Sequence, residues 1–148
     1  FGSSAVNKTN FINDDEVDLI VTSPPFLDVV DYKSDNWMRC WFAGIDPDKI
    51  KISKYRSITD WQNFIHDAFI EFERIVKHGG HIAFEVGEVR NGKVKLEKLV
   101  SESIKDLNFE LLGVIINTQD FTKTSNCWGI INNSKGTNTN RIVLCRKM

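Results

Sequence analysis

The sequence predicts an α/β domain, with strands and helices alternating along most of its 148 residues. Three observations carry this. Val17-Asp18-Leu19-Ile20-Val21 is a short apolar run rich in Val and Ile, and Pro24 and Pro25 stop it. Trp61, Phe64, Ile65, Ala68, Phe69, Phe72, Ile75 and Val76 recur at spacings of three and four, the broad apolar face of a helix. Apolar runs at 81–86, 109–118 and 141–145 read as further strands.

Composition sets the outer bounds. A hydrophobic share of 41% is enough for one domain with one core. The formal net charge of −1 carries no global basic signature of nucleic-acid binding, which leaves room only for local basic patches. Cys40, Cys127 and Cys145 are far apart and form no Cys-x-x-Cys. They read as free thiols in a reducing compartment, and so as a cytoplasmic protein. No apolar run reaches the length of a membrane span, and no signal peptide is visible. The first residue is Phe1, not Met, which reads as a piece of a longer protein.

Residues 1–16 form a loop-rich lead-in. Val17 to Val21 then reads as a buried strand. Pro24 and Pro25 lack the amide hydrogen needed to continue a ladder. Each also holds the residue before it extended. A rigid Ser23-Pro24-Pro25-Phe26 therefore projects from the carboxyl end of the strand, where open α/β sheets bind ligands. Its chemistry is specific. The Ser23 hydroxyl and the Pro24 carbonyl are acceptors, and Phe26 offers a flat apolar face. Together they suit a planar ring with an exocyclic amino group. Such an amine is a poor nucleophile, because its lone pair is delocalised into the ring. Acceptors that draw the nitrogen toward tetrahedral geometry localise the pair for attack on an electrophilic methyl group, and alignment does most of the rest.

Thr22-Ser23-Pro24-Pro25-Phe26 resembles the catalytic motif of the DNA amino-methyltransferases, which is Asp, Asn or Ser, then Pro-Pro, then Tyr or Phe. The resemblance implies a partial Rossmann-like methyltransferase fold: the catalytic half, strands four to seven, with the last pair antiparallel and the final strand beside the strand at 81–86. It implies S-adenosylmethionine as cofactor and DNA as partner. The methyl acceptor would be the exocyclic amine of a flipped base, N4 of cytosine favoured over N6 of adenine by the Ser-first form with Phe. Ser23, Pro24, Pro25 and Phe26 would be catalytic, and Thr22, Ser23 and Glu85 would border the cofactor. Phe1-Gly2-Ser3-Ser4 departs from the family's Phe-x-Gly-x-Gly cofactor motif and lies too close to Thr22 for a cofactor half to fit between. Residues 1–148 therefore read as one incomplete domain, its cofactor half upstream. Without that half the strand at 17–21 is an exposed edge, a template for a homodimer, and donor binding is expected to be weak or absent.

Residues 27–37 read as a loop leading into a helix whose Trp37, Cys40 and Trp41 face the core. Asp28 and Asn36 read as surface residues, with contact to base or backbone as the family-based alternative; for Tyr32 the two readings are even. Residues 44–58 form a connector with Lys49, Lys51, Lys54, Tyr55 and Arg56, read as a solvated basic loop, with phosphate contact as the alternative. Thr59 and Gln62 make a capping box for a helix from Thr59 to Lys77, and Gly79-Gly80 ends it. His66 falls beside the apolar stripe and reads as solvated. His78 and His81 lack further ligands nearby, so no metal is expected.

The strand at 81–86 follows, and its carboxyl end carries Glu85 and Glu88 on the same rim as Ser23. They contact cofactor or target, or they are solvated charges on a turn. Leu96, Leu99, Val100, Ile104 and Leu107 mark a second amphipathic helix. Between the strands at 109–118 and 141–145 lies a polar loop of about twenty residues, a length usually functional or disordered. In it Trp128 stacks on a base or wedges into a duplex, with Lys123 and Lys135 on phosphate, or Trp128 merely pins a long hairpin loop. Two alternatives to a DNA methyltransferase remain: an enzyme acting on RNA or on protein glutamine, and a non-catalytic nucleic-acid-binding remnant.

Overall fold

The apolar periodicities become one four-stranded sheet with helices on one face. A computed structural model describes residues 9–25, 27, 32–49, 53, 55–89, 93–118 and 139–148. The elements run β1 (Val17–Thr22), α1 (Tyr32–Phe42), a 3₁₀ turn (Pro47–Lys49), α2 (Ile58–Ile75), β2 (Val76–Val86), β3 (Glu88–Val89), β4 (Val94–Lys95), α3 (Leu96–Ser103), β5 (Phe109–Thr118) and β6 (Thr139–Lys147). The sheet order is β1-β2-β6-β5. β1 and β2 are parallel, while β6 runs antiparallel to both β2 and β5. The expected antiparallel last pair and the insertion of the final strand beside β2 are both present.

This order gathers the connections onto one rim. Thr22 pairs with Phe84 near the end of β2, Val86 pairs with Arg141, and Thr118 pairs with Thr139. The carboxyl ends of β1, β2 and β5 therefore share a rim with the start of β6. The Ser-Pro-Pro turn, the short β3–β4 hairpin and the connection from β5 to β6 all leave from it.

The core lies between the sheet and α2 and α3. Trp61, Ile65, Ala68, Phe69, Phe72 and Ile75 line the buried face of α2, as the spacing predicted. They meet Ile82, Phe84 and Val86 of β2 and Val143 and Cys145 of β6. Phe69 sits at the centre, edge-on to Phe72, Phe84 and Phe109 at centroid distances of 5.1 to 5.5 Å. Leu96, Val100 and Ile104 extend the same core.

Four expectations change. First, β1 is not buried on both faces. It is a sheet edge with helices on one side only, so Leu19 and Val21 are 57% and 73% exposed. Second, the cap of α2 is Ser57, not Thr59: its hydroxyl accepts from the Asp60 amide at 3.3 Å. Ile58 packs against the core, so the helix starts early enough to bring it there.

Third, α2 stops at Ile75 and the chain enters β2 directly, before Gly79-Gly80. The glycines serve the β1–β2 pairing instead. Between the pairs Val17–Val76 and Leu19–His81, β2 takes five steps where β1 takes two. Gly79 adopts φ +76°, and a Cβ on Gly80 would lie 2.7 Å from Val76 Cγ1 and 3.1 Å from the Asp18 carbonyl. Fourth, α1 does not turn its aromatics to the core. Trp37 and Trp41 are 56% and 70% exposed, and Cys40 is half-buried. α1 meets mainly the 3₁₀ turn that follows it.

Candidate active site at the end of β1

The proline turn is clamped to the core at several points. Thr22 is the last residue of the β1 ladder and pairs with Phe84. Past it, Ser23 is exposed, Pro24 is buried and Pro25 is half-buried. No described peptide bond is cis. Leu27 is completely buried and belongs to the main core. The Trp61 indole N–H donates to the Pro25 carbonyl at 2.9 Å. Proline offers no amide hydrogen of its own here, so the turn is held by ring burial and by this side-chain donor. The result is a fixed backbone with one exposed hydroxyl, Ser23.

The other expected site residues divide. Thr22, Ser23, Pro24 and Pro25 are consecutive in the turn. Thr22 pairs with Phe84 and so shares the core face, whereas Glu85, the next residue of β2, is on the reverse face. Glu85 is thus on the rim but not on the Thr22 side. Asn36 is on α1 and accepts from Arg39 Nη1 at 2.8 Å. Tyr32 opens α1, but its side chain lies outside the description. Phe26, Lys123, Trp128 and Lys135 lie outside the described residues, as does Phe1-Gly2-Ser3-Ser4.

Two contacts at the rim escaped the sequence reading. One is the Trp61–Pro25 bond. A buried indole N–H needs an acceptor, so a tryptophan in a core stripe was a signal in principle. The other is an ion pair between Glu97, on the first turn of α3, and Arg141 of β6, at 2.5 Å. Their side chains are only 11% and 16% exposed. The second Glu97 oxygen finds no hydrogen-bond partner among the described residues. This pair fastens α3 to β6 at the rim.

The shifted titrations among the described residues lie elsewhere. Burial pushes the Cys145 thiol up to about 11, so it is an inert core sulfur. The Lys147 ammonium, bonded to Asp15, holds that carboxyl below its ordinary value. Hydrogen bonds from Arg74 do the same to Glu71, and donating to the Glu71 and Asp14 carboxylates raises Arg74. Arg74 also binds the carbonyls of Ile12 and Thr9. This network pins the approach to β1, at the end opposite Ser23. His66 bonds Asp106 at 3.1 Å and lowers that carboxyl in turn. No group of three or more His, Cys, Asp and Glu side chains able to hold a metal occurs among the described residues. No helix among them is long and apolar enough to cross a membrane.

The profile of the N6/N4 DNA methylase family matches residues 17–147. The chain belongs to this DNA methylase family. The match runs from β1 to the end of β6, so it contains the whole four-stranded sheet. A search of curated proteins finds no match. Among solved structures, one similar fold is a Thermus thermophilus protein assigned as a DNA modification methylase. It is 20% identical, with a TM-score of 0.59 over 98% of this chain and 50% of that one. The same protein complexed with S-adenosyl-L-methionine gives 20% identity and a TM-score of 0.58 over 98% of this chain and 53% of that one. The chain thus spans about half the length of these structures. The likeness makes the fold a partial Rossmann-like methyltransferase fold.

Proposed function

We propose that this chain is the catalytic portion of a DNA methyltransferase that acts on the exocyclic amine of a flipped base, N4 of cytosine ahead of N6 of adenine. The observation that carries the reading is the Ser23-Pro24-Pro25 turn, clamped to the core and presenting the Ser23 hydroxyl at the carboxyl rim of the sheet. The Ser23 hydroxyl and the Pro24 carbonyl accept the two N–H groups of the amine. Phe26 stacks on the base, whose extrusion from the duplex opens its edge to both acceptors. Acceptors held by the fold need no reorganisation at the moment of reaction, which is the main source of rate in such a site. Tyr32, Asn36, Lys123, Trp128 and Lys135 contribute contacts to DNA.

S-adenosylmethionine supplies an electrophilic methyl group when bound. The described residues fit it along one border only: the hydroxyls of Thr22 and Ser23 are polar partners at the end of β1, while Glu85 lies on the reverse face. We place its remaining contacts in a cofactor half outside this chain, in a complete domain of which residues 1–148 are one part. In the cell the reading places the protein with cytoplasmic DNA. In the isolated chain the open β1 edge is a surface for pairing with a second copy.

The test uses labelled S-adenosylmethionine and a polypeptide that contains this chain, with DNA, RNA and protein offered in turn. Label recovered from DNA as N4-methylcytosine supports the proposal. Label in adenine corrects the base. Label confined to RNA or to protein glutamine overturns the reading, and so does nucleic-acid binding with no transfer.

A further inference from the structure

We infer that Trp61 is a positioning residue for the Ser-Pro-Pro turn, acting through its indole N–H on the Pro25 carbonyl. The inference rests on the reading of the turn as a methyl-transfer site. Trp61 is completely buried, and its nitrogen is 2.9 Å from the Pro25 oxygen across 36 positions of sequence.

The torsions of the turn show what this bond controls. The rings of Pro24 and Pro25 lock φ at both residues, and the peptides are trans. The soft torsions left between the β1 ladder and the end of the turn are φ and ψ of Ser23 and ψ of Pro24 and Pro25. The ladder holds one end at Thr22, and burial of the Pro24 ring holds the middle. Beyond the turn Leu27 is anchored in the core, and between these anchors the Pro25 carbonyl is held by Trp61. With that carbonyl released, ψ of Pro24 and ψ of Pro25 can shift as a compensating pair between the buried Pro24 ring and Leu27. The Pro24 carbonyl swings with them. That carbonyl is one of the two acceptors of the amine, and an acceptor displaced by about 1 Å costs up to a hundredfold in rate. Trp61 touches neither substrate nor cofactor. It sets where the acceptor points.

Trp61 is also a large core side chain, so truncation would confound packing with positioning. The deciding variant is therefore the benzothienyl analogue of tryptophan at position 61, which keeps the ring shape and replaces N–H by sulfur. Trp61→Phe is the second variant, and the same analogue at the exposed Trp37 is the control. The probes are an unmethylated DNA duplex and S-adenosylmethionine, with a polypeptide that contains this chain. The expected result is a fall of tenfold or more in kcat for the position-61 analogue. KM for DNA should stay within about threefold, and the thermal midpoint should be close to that of the parent. The Trp37 analogue should leave kcat unchanged. Full kcat in the position-61 analogue, or an equal loss at Trp37, overturns the inference.

A second measurement needs no activity. By nuclear magnetic resonance the Trp61 indole proton should exchange with solvent far more slowly than that of Trp37; equal rates overturn the inference. A protein that transfers no methyl group but protects the Trp61 indole would overturn the proposed function and the positioning role together, while leaving the Trp61–Pro25 bond in place.

Discussion

Ser23→Ala separates chemistry from folding more cleanly than any other change at the rim. The serine is exposed, and its hydroxyl forms no hydrogen bond with another described residue. Its backbone is already held by the prolines that follow. Removal should therefore change stability by less than about 0.5 kcal/mol, the range of ordinary surface substitutions. The effect on rate is of another size. Losing one preorganised partner at a site of developing charge costs about 2.7–4 kcal/mol, or 10²–10³ in kcat. The Pro24 carbonyl survives as a second acceptor, which points to the lower end, about a hundredfold. The assay pairs kcat and KM on a DNA duplex with a urea unfolding midpoint, and Cys40→Ala on the outer helix α1 serves as the neutral control. Turnover at the parental rate in a Ser23→Ala protein of unchanged midpoint would refute the assignment of this turn as the amine-binding site. A loss of turnover that only tracks a fall in midpoint would refute the chemistry as well.

Three further outcomes are expected. Arg141→Met should destabilise by about 3–5 kcal/mol, since it strands the buried Glu97 carboxylate. The double variant Glu97→Leu/Arg141→Met should be more stable than Arg141→Met alone; a further loss in urea unfolding would contradict the buried-pair reading. Leu19→Lys with Val21→Lys should shift the isolated chain from associated to monomeric in sedimentation velocity, by placing charge along the open β1 edge. A parent chain that is already monomeric would count against edge pairing. Asp15, Glu71 and Asp106 have folded-state values below their ordinary 3.8 and 4.5. Their contribution is then complete above those values and lost as pH falls through the lower folded ones. Thermal stability should accordingly fall on acidification below pH 4.5, modestly because these carboxylates are mostly near the surface. A rise in the melting temperature over that interval would contradict the assigned pairs.

Much of the site was legible because its signals are local. A proline pair cannot continue a ladder wherever it stands, so Ser23-Pro24-Pro25 had to leave the end of a strand. The apolar stripe of α2 and the bounds of the strand at 109–118 also emerged as read. Other local signals were ambiguous. Ser57 and Thr59 are both good caps, and only the packing of Ile58 against the core selects Ser57. Gly79-Gly80 is a fair helix stop by itself, yet β2 begins before it because Val76 already pairs with Val17. The aromatics of α1 recur at helical spacing, but spacing does not say whether a partner surface is present. Among the described residues none covers Trp37 and Trp41.

By itself, then, the sequence determined which segments avoid water, where the backbone must stop pairing, and which acceptors stand at that stop. Tertiary structure decided which polar groups meet across long stretches of chain. Trp61 finds Pro25 and Arg141 finds Glu97 only because β6 inserts beside β2 and α2 crosses over the end of β1. The physical reason is that hydrophobic burial is non-directional and leaves a periodic trace along the chain. A hydrogen bond or a buried ion pair needs one donor within about 3 Å of one acceptor, and that closeness is a property of the assembled sheet.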